Sequence, residues 1–188
     1  MKKYYLILDS SDTTLIVGLK DDKKLIYSIC KECPQMHSKV EIHFINEVLK
    51  LNKLNFSDLN GIIITTGPGS FVGIRISLTI AKIFSFVLKI PIYSISTLRA
   101  NSIIGEKNIV LLDAKGDRSY MAIFDENNNY LLEDSLLNNR EVKKYINKKS
   151  VNFIKIVCKS NYLKLKNKNL ILTKNNFLKN VDFFISSK

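Results

Sequence analysis

Short apolar runs broken by polar turns open the chain. The segments Leu6–Asp9, Leu15–Leu19 and Lys24–Ile29 have strand-like patterning, and the turns Asp9–Asp12 and Lys20–Lys23 separate them, which predicts an antiparallel meander. The period then changes. Val40, Phe44, Ile45, Val48 and Leu49 recur at helical spacing, and Ser38 with Glu41 has the form of a capping box, so a helix is expected over 38–52. That start leaves His37 outside the helix and His43 inside it, facing elsewhere, a poor pair for a metal. Asn60-Gly61 leads into a β-branched strand, Ile62–Thr66, and then into the glycine-rich turn GPGSFVG. From Ile74 the segment RISLTIAKIFSFVLKI is apolar almost all round, broken mainly by Arg75 and Lys82. A helix over 74–89 with no polar face must be covered on both sides, by its own sheet and by something else, such as another polypeptide.

The scheme of strands, helix and strand then recurs. Pro91 precedes a strand Ile92–Ser96, and Ser96-Thr97 cap a short helix reaching Asn101. Strands follow at Asn108–Asp113, Ser119–Phe124 and Tyr130–Glu133, then a helix near Asn139–Lys148, a strand Phe153–Cys158 and a final strand Leu170–Thr173. The order implies an α/β protein of two related lobes with mixed sheets and flanking helices. The first covers 1–98, and the second, smaller and short, covers 99–188.

Composition narrows the function. The 188 residues carry 29 Lys and Arg against 17 Asp and Glu, a net charge of +12, and 46% hydrophobic residues, enough for a real core. The excess is densest at Lys143, Lys144, Lys148, Lys149, Lys155, Lys159, Lys164, Lys166, Lys168, Lys174 and Lys179. Few aromatics sit among them at strand spacing, as a nucleic-acid stacking platform would need, so a solvated, weakly RNA-attracting face is expected. Cys30 and Cys33 have knuckle spacing, but a zinc site needs four ligands, and only His37, His43 and the distant Cys158 are left to add; an incidental pair and no metal are expected. Asp9 interrupts the opening apolar run, and no later segment reaches ~20 uninterrupted apolar residues. A cytoplasmic protein with no membrane partner is therefore expected.

The glycine turn invites comparison with phosphate loops. A P-loop ends in Gly-Lys-Ser/Thr, but Ile74 and Arg75 follow Gly73. A dinucleotide fingerprint spaces its glycines one residue more tightly than Gly67, Gly69 and Gly73, and requires an acid about twenty residues on. The actin/Hsp70/sugar-kinase scheme fits better. It has two lobes, each a meander followed by helices and strands, with polar turns supplying phosphate contacts. In that scheme Asp9 and the loop residues Gly67, Pro68, Gly69, Ser70, Gly73 and Arg75 are the candidate phosphate contacts. The structural alternative is that the glycines serve backbone geometry and close helix approach, with Pro68 stiffening the turn.

GPGSFVGIRI followed by Ala81-Lys82 resembles the GPGSFTGIRIG…AK signature of the TsaB (YeaZ) family of bacterial tRNA threonylcarbamoyladenosine biosynthesis proteins. LILDSSD, MHSKVE, SISTLRA and LLDAKGDRSYMAIF are similar to that family's further motifs, in the same order, over the first two-thirds of the chain. Val72, Lys39 and Lys115 depart from the usual Thr, Glu and Arg. The resemblance implies a non-catalytic scaffold that acts with the catalytic subunit TsaD and the ATPase TsaE, touches tRNA only through the complex, and pairs with itself in isolation. It implies no cofactor of its own, with ATP or ADP at the interface of the complex. The partner interface expected from it comprises His37, Val40, Phe44, Val48, Ile76, Ile80, Ile83 and Val87. Two rivals remain at this point: an active kinase or ATPase of the same fold, and a glycopeptidase, for which neither a metal nor a nucleophile with a base is visible.

Overall fold

A computed structural model describes residues 2–147, 155–158, 163, 170–172, 178 and 180. It divides into two compact units, one taking in Met1–Thr97 and the other beginning at Leu98.

The first unit is a five-stranded mixed sheet in the order β3-β2-β1-β4-β5. The expected meander forms it: β1 (Tyr4–Asp9), β2 (Thr14–Asp21) and β3 (Leu25–Glu32) pair antiparallel, each starting or ending a few residues beyond its apolar core. β4 (Leu59–Thr65) then lies parallel to β1, and β5 (Ile92–Ile95) parallel to β4. β1 and β4 are buried on both faces, which explains their unbroken Leu and Ile. Two helices, α1 (His37–Leu51) and α2 (Phe71–Leu88), cover one face. Leu6, Leu8, Leu15, Val17, Leu19, Ile62 and Ile64 of the sheet meet Phe44, Ile45, Val48 and Leu49 of α1 and Ala81 of α2 in one core.

Two helix starts differ from expectation. α1 begins at His37, its N-cap is Met36 with no side-chain cap, and so Ser38 and Glu41 form no capping box. Glu41 cannot reach back to the helix start because its side chain is drawn into the core by Ser77. α2 begins three residues earlier than its apolar run suggests, because Ser70 caps it: the Ser70 hydroxyl accepts from the Gly73 amide at 3.2 Å. The last third of the glycine motif is therefore helix.

The second unit holds another five-stranded sheet, β10-β9-β6-β7-β8, so it is no thinner in strands than the first. β6 (Asn108–Lys115), β7 (Arg118–Phe124) and β8 (Tyr130–Asn138) form the antiparallel meander, with β8 running past the expected Glu133. β9 (Lys155–Cys158) and β10 (Leu170–Leu172) add in parallel. A short helix, α3 (Thr97–Ala100), stands before this meander, and α4 (Asn139–Ile146) after it. α4 has the capping box that α1 lacks: Asn138 accepts from the Arg140 amide, and Glu141 accepts from the Asn138 amide. Val142 and Ile146 anchor α4 against Ile109, Leu111 and Met121. Of the lysine run, Lys148, Lys149, Lys159, Lys164, Lys166, Lys168, Lys174 and Lys179 lie outside the described residues.

Candidate functional site

The glycine turn rests on the turn that follows β1. A Cβ on Gly73 would sit 2.0 Å from the Ser10 carbonyl oxygen, and one on Gly69 would sit 2.3 Å from that of Ser11. No other residue allows these approaches, so both glycines are required by contact. The loop amides turn inward as a result. Ser70 N donates to the Ser11 carbonyl at 2.7 Å, and Ile74 N donates to that of Ser70 at 2.9 Å. With Gly73 N on the Ser70 hydroxyl, these three amides are not available to a phosphate. The Gly67 carbonyl accepts from Thr97 N at 2.7 Å, Pro68 is half-buried, and Gly69 and Ser70 are exposed. The Arg75 guanidinium, exposed, lies 5.1 Å from the centre of the Phe71 ring. Asp9 is buried; its Oδ1 accepts from Thr65 Oγ1 at 2.7 Å and from Ser11 N at 3.0 Å, while its Oδ2 has no partner.

Beneath the loop lies a polar seam that sequence reading missed. Ser77 Oγ donates to Glu41 Oε1, Ser10 Oγ and Ser77 Oγ are 2.6 Å apart, and Ser10 Oγ donates to the Gly73 carbonyl at 2.7 Å. Glu41 is fully buried, and its Oε2 has no partner. Loss of hydration pushes its carboxyl up to about 7; the Ser77 hydroxyl opposes that, and the Asp9 charge adds to it. His37, one turn earlier on α1, is buried as well. Burial pushes its imidazole below the usual histidine range, against the Thr13 carbonyl that its ring contacts. Among the described residues no three His, Cys, Asp or Glu side chains are grouped to hold a metal. Cys30 is exposed, Cys33 is buried with its thiol pushed up by burial, and neither is in a disulfide.

The outer face of the helix pair is apolar. α2 turns its small residues, Gly73, Ser77 and Ala81, toward the sheet, four apart on one face. Its large residues are left outside: Phe71 is 70% exposed, Val72 68%, Ile83 54%, Phe86 86% and Val87 67%. Ile42 and Leu51 of α1 are exposed as well. Between the helices runs a groove of about 430 Å3, lined by Ser38, Ile42, Phe71, Val72, Arg75, Ile76, Thr79 and Ile80. By length and composition α2, with a mean hydropathy of 1.8, also passes for a membrane span, although no run of ~20 was expected to. Its inner face lies on the sheet, and Arg75 and Lys82 interrupt its outer one.

The expected interface residues divide accordingly. Ile83 and Val87 are exposed, Ile76 and Ile80 line the groove, and Val40 packs half-buried against the core. Phe44, Val48 and His37 are buried in this unit and present no open face. Phe71, Val72, Phe86 and Ile42 are exposed instead. The signal that marks them is the inward stripe of small residues: once Gly73, Ser77 and Ala81 face the sheet, the opposite positions must face out.

Comparison with known proteins agrees with this architecture. The family model described as TsaD, tRNA N6-adenosine threonylcarbamoyltransferase, matches residues 30–179. The tRNA threonylcarbamoyladenosine biosynthesis protein TsaB of Buchnera aphidicola from Acyrthosiphon pisum is 32% identical over 164 residues, 82% of this chain and 72% of that protein. This chain is a member of the TsaB (YeaZ) family. The TsaB of Buchnera aphidicola from Schizaphis graminum is 38% identical over 118 residues, and the match spans 58% of this chain but only 55% of that relative. Among solved structures, YeaZ from Pseudomonas aeruginosa superposes with a TM-score of 0.81 at 17% identity, over 98% of this chain and 92% of that one. The ethanolamine utilization protein EutJ of Carboxydothermus hydrogenoformans reaches 0.51 at 12% identity, over 86% and 78%. The actin/Hsp70/sugar-kinase fold expected from the order of elements is thus the fold of the family.

Proposed function

We propose that this protein serves in the biosynthesis of threonylcarbamoyladenosine in tRNA as a non-catalytic subunit that docks on the threonylcarbamoyltransferase through the outer face of α1 and α2. The observation that carries the reading is the inverted α2, whose small residues pack inward and whose Phe71, Val72, Ile83, Phe86 and Val87 lie in the open. A contiguous apolar face of this kind marks a binding surface rather than ordinary protein exterior. An amphipathic helix of the partner laid in the groove would cover it. The chain does no chemistry of its own in this role. Three amides of the loop and helix start, those of Ser70, Gly73 and Ile74, are engaged by Ser11 and Ser70, which favours a structural over a nucleotide-binding role for the loop. In the assembly TsaD supplies the transfer, TsaE joins the pair, and tRNA is met through the complex. Without TsaD the same face pairs with a second copy.

Titration calorimetry against the cognate TsaD tests the docking. Wild type is expected to bind, and the pair Val72→Glu and Phe86→Lys is expected to lose measurable binding. Undiminished binding by a variant that is folded to the same degree contradicts the proposed face.

A further inference from the structure

The seam beneath the glycine loop is one proton short unless Glu41 is neutral. Three oxygen–oxygen contacts of hydrogen-bond length run in series: Glu41 Oε1 to Ser77 Oγ, Ser77 Oγ to Ser10 Oγ at 2.6 Å, and Ser10 Oγ to the Gly73 carbonyl at 2.7 Å. Each contact needs one proton. The two serines supply two, and a carbonyl supplies none. The third has to come from Glu41. With Glu41 neutral, all three are satisfied in one direction: the carboxyl donates to Ser77, Ser77 to Ser10, and Ser10 to Gly73.

Ionisation removes that proton and reverses the chain. Ser77 then donates to the carboxylate. If Ser10 turns to donate to Ser77, the Gly73 carbonyl loses its donor; if Ser10 stays on Gly73, two hydroxyl oxygens face each other 2.6 Å apart with no hydrogen between them. Either outcome disturbs the first turn of α2.

We infer that Glu41, Ser77, Ser10 and Gly73 form a proton-operated relay, in which the charge state of a buried acid on α1 sets the hydrogen bonding of the glycine loop and the start of α2. Independent features agree with it. The hydrogen bond between Ser77 and Glu41 is, among the described residues, the one that joins α1 to α2. Glu41 is fully buried with Oε2 unpartnered, and burial places its titration near 7, where the relay can switch. The titratable groups facing it are Asp9 from β1, Cys33 from the segment before α1, and His37 on its own helix, which in turn feels Asp9 and Asp12. α2 brings no charge to it, since Arg75 and Lys82 are exposed. The relay bears on the proposed docking face, because Ser38 and Ile42 flank Glu41 while Ile76 flanks Ser77, and all three line the groove. Its test, however, needs no partner and stands apart from that reading.

The full-length chain, labelled with carbon-13 at glutamate side-chain and glycine backbone carbonyls, is followed by NMR from pH 4 to 9. The Glu41 carboxyl and the Gly73 carbonyl are expected to move together, with a shared midpoint near 7. Ser10→Ala removes the link whose loss opposes ionisation. In that variant the Glu41 midpoint is expected to fall by about one pH unit, equivalent to one hydrogen bond, and the Gly73 response is expected to vanish. A Glu41 midpoint in the ordinary carboxylate range overturns the relay. So does a Gly73 carbonyl that does not follow Glu41, and so does a Glu41 midpoint left unmoved by Ser10→Ala. If Ser10→Ala does not fold, the shared wild-type midpoint alone decides.

Discussion

Gly73 and Glu41 carry the most consequence per atom. Gly73 lets α2 start against the Ser10 carbonyl, and a methyl group there has no place to go, since the obstructing atom is backbone. Gly73→Ala should therefore destabilise the chain by about 1–3 kcal/mol or more, seen as a lower denaturation midpoint. Glu41 sets a pH dependence. Its folded carboxyl titrates near 7, above the ordinary 4.5, so the folded state binds the extra proton between those values. Its contribution is fully present below about 4.5 and is lost as pH rises through about 7. Glu41→Gln, neutral throughout, should lack this loss and be more stable than wild type at pH 8 by roughly 2–3 kcal/mol in chemical denaturation. His37 acts in the opposite sense. Its imidazole is held below the usual range, so its contribution is present above pH 6.5 and is lost on acidification. Glu41→Gln should remove the loss of stability between about pH 4.5 and 7 and leave the acid-side loss from His37 in place.

At the scale of elements, α2 decides what the first unit can do. A helix that packs through Gly73, Ser77 and Ala81 gains close approach to the sheet but leaves its bulky side chains exposed. Those side chains add little to the stability of the isolated chain, so replacing them should leave its folding nearly intact. Val72→Glu places an acid in the first turn and Phe86→Lys a base near the last, both in keeping with the helix dipole. Each should change stability by no more than about 0.5 kcal/mol while raising solubility, as measured by denaturation and by the concentration at which the protein precipitates. The apolar periodicity that announced this helix could not say which side faced the core. Phe44 and Val48 of α1 were expected at the interface from the family resemblance, yet both pack in the core with Leu15, Val17 and Leu19. The false capping box at Ser38 has a similar origin: a short-range pattern was satisfied in sequence, but a long-range contact with Ser77 claimed the Glu41 side chain.

For the whole molecule, the two meanders were legible because alternation and polar turns are local signals, and β4 was legible as a strand because its run of Ile, buried on both faces, leaves little else to form. The resemblance of the glycine motif and its neighbours led to the family that the relatives show. What composition alone offered was weaker: a charge of +12 points to an acidic partner without locating the surface that meets it. The proposed function follows instead from one outward-facing helix pair, with the Ser70, Gly73 and Ile74 amides already engaged within the chain.

Reconstitution tests that function most directly. The cognate TsaD and TsaE are incubated with tRNA, ATP and an activated threonylcarbamoyl donor, with and without this chain, and threonylcarbamoyladenosine is quantified by mass spectrometry of the digested tRNA. Modification is expected to require the wild-type chain and to drop to background with the Val72→Glu, Phe86→Lys variant, while the chain alone modifies nothing. Full modification without the chain, or equal modification with the variant, would contradict the claim that this protein works by docking its α1–α2 face on the transferase.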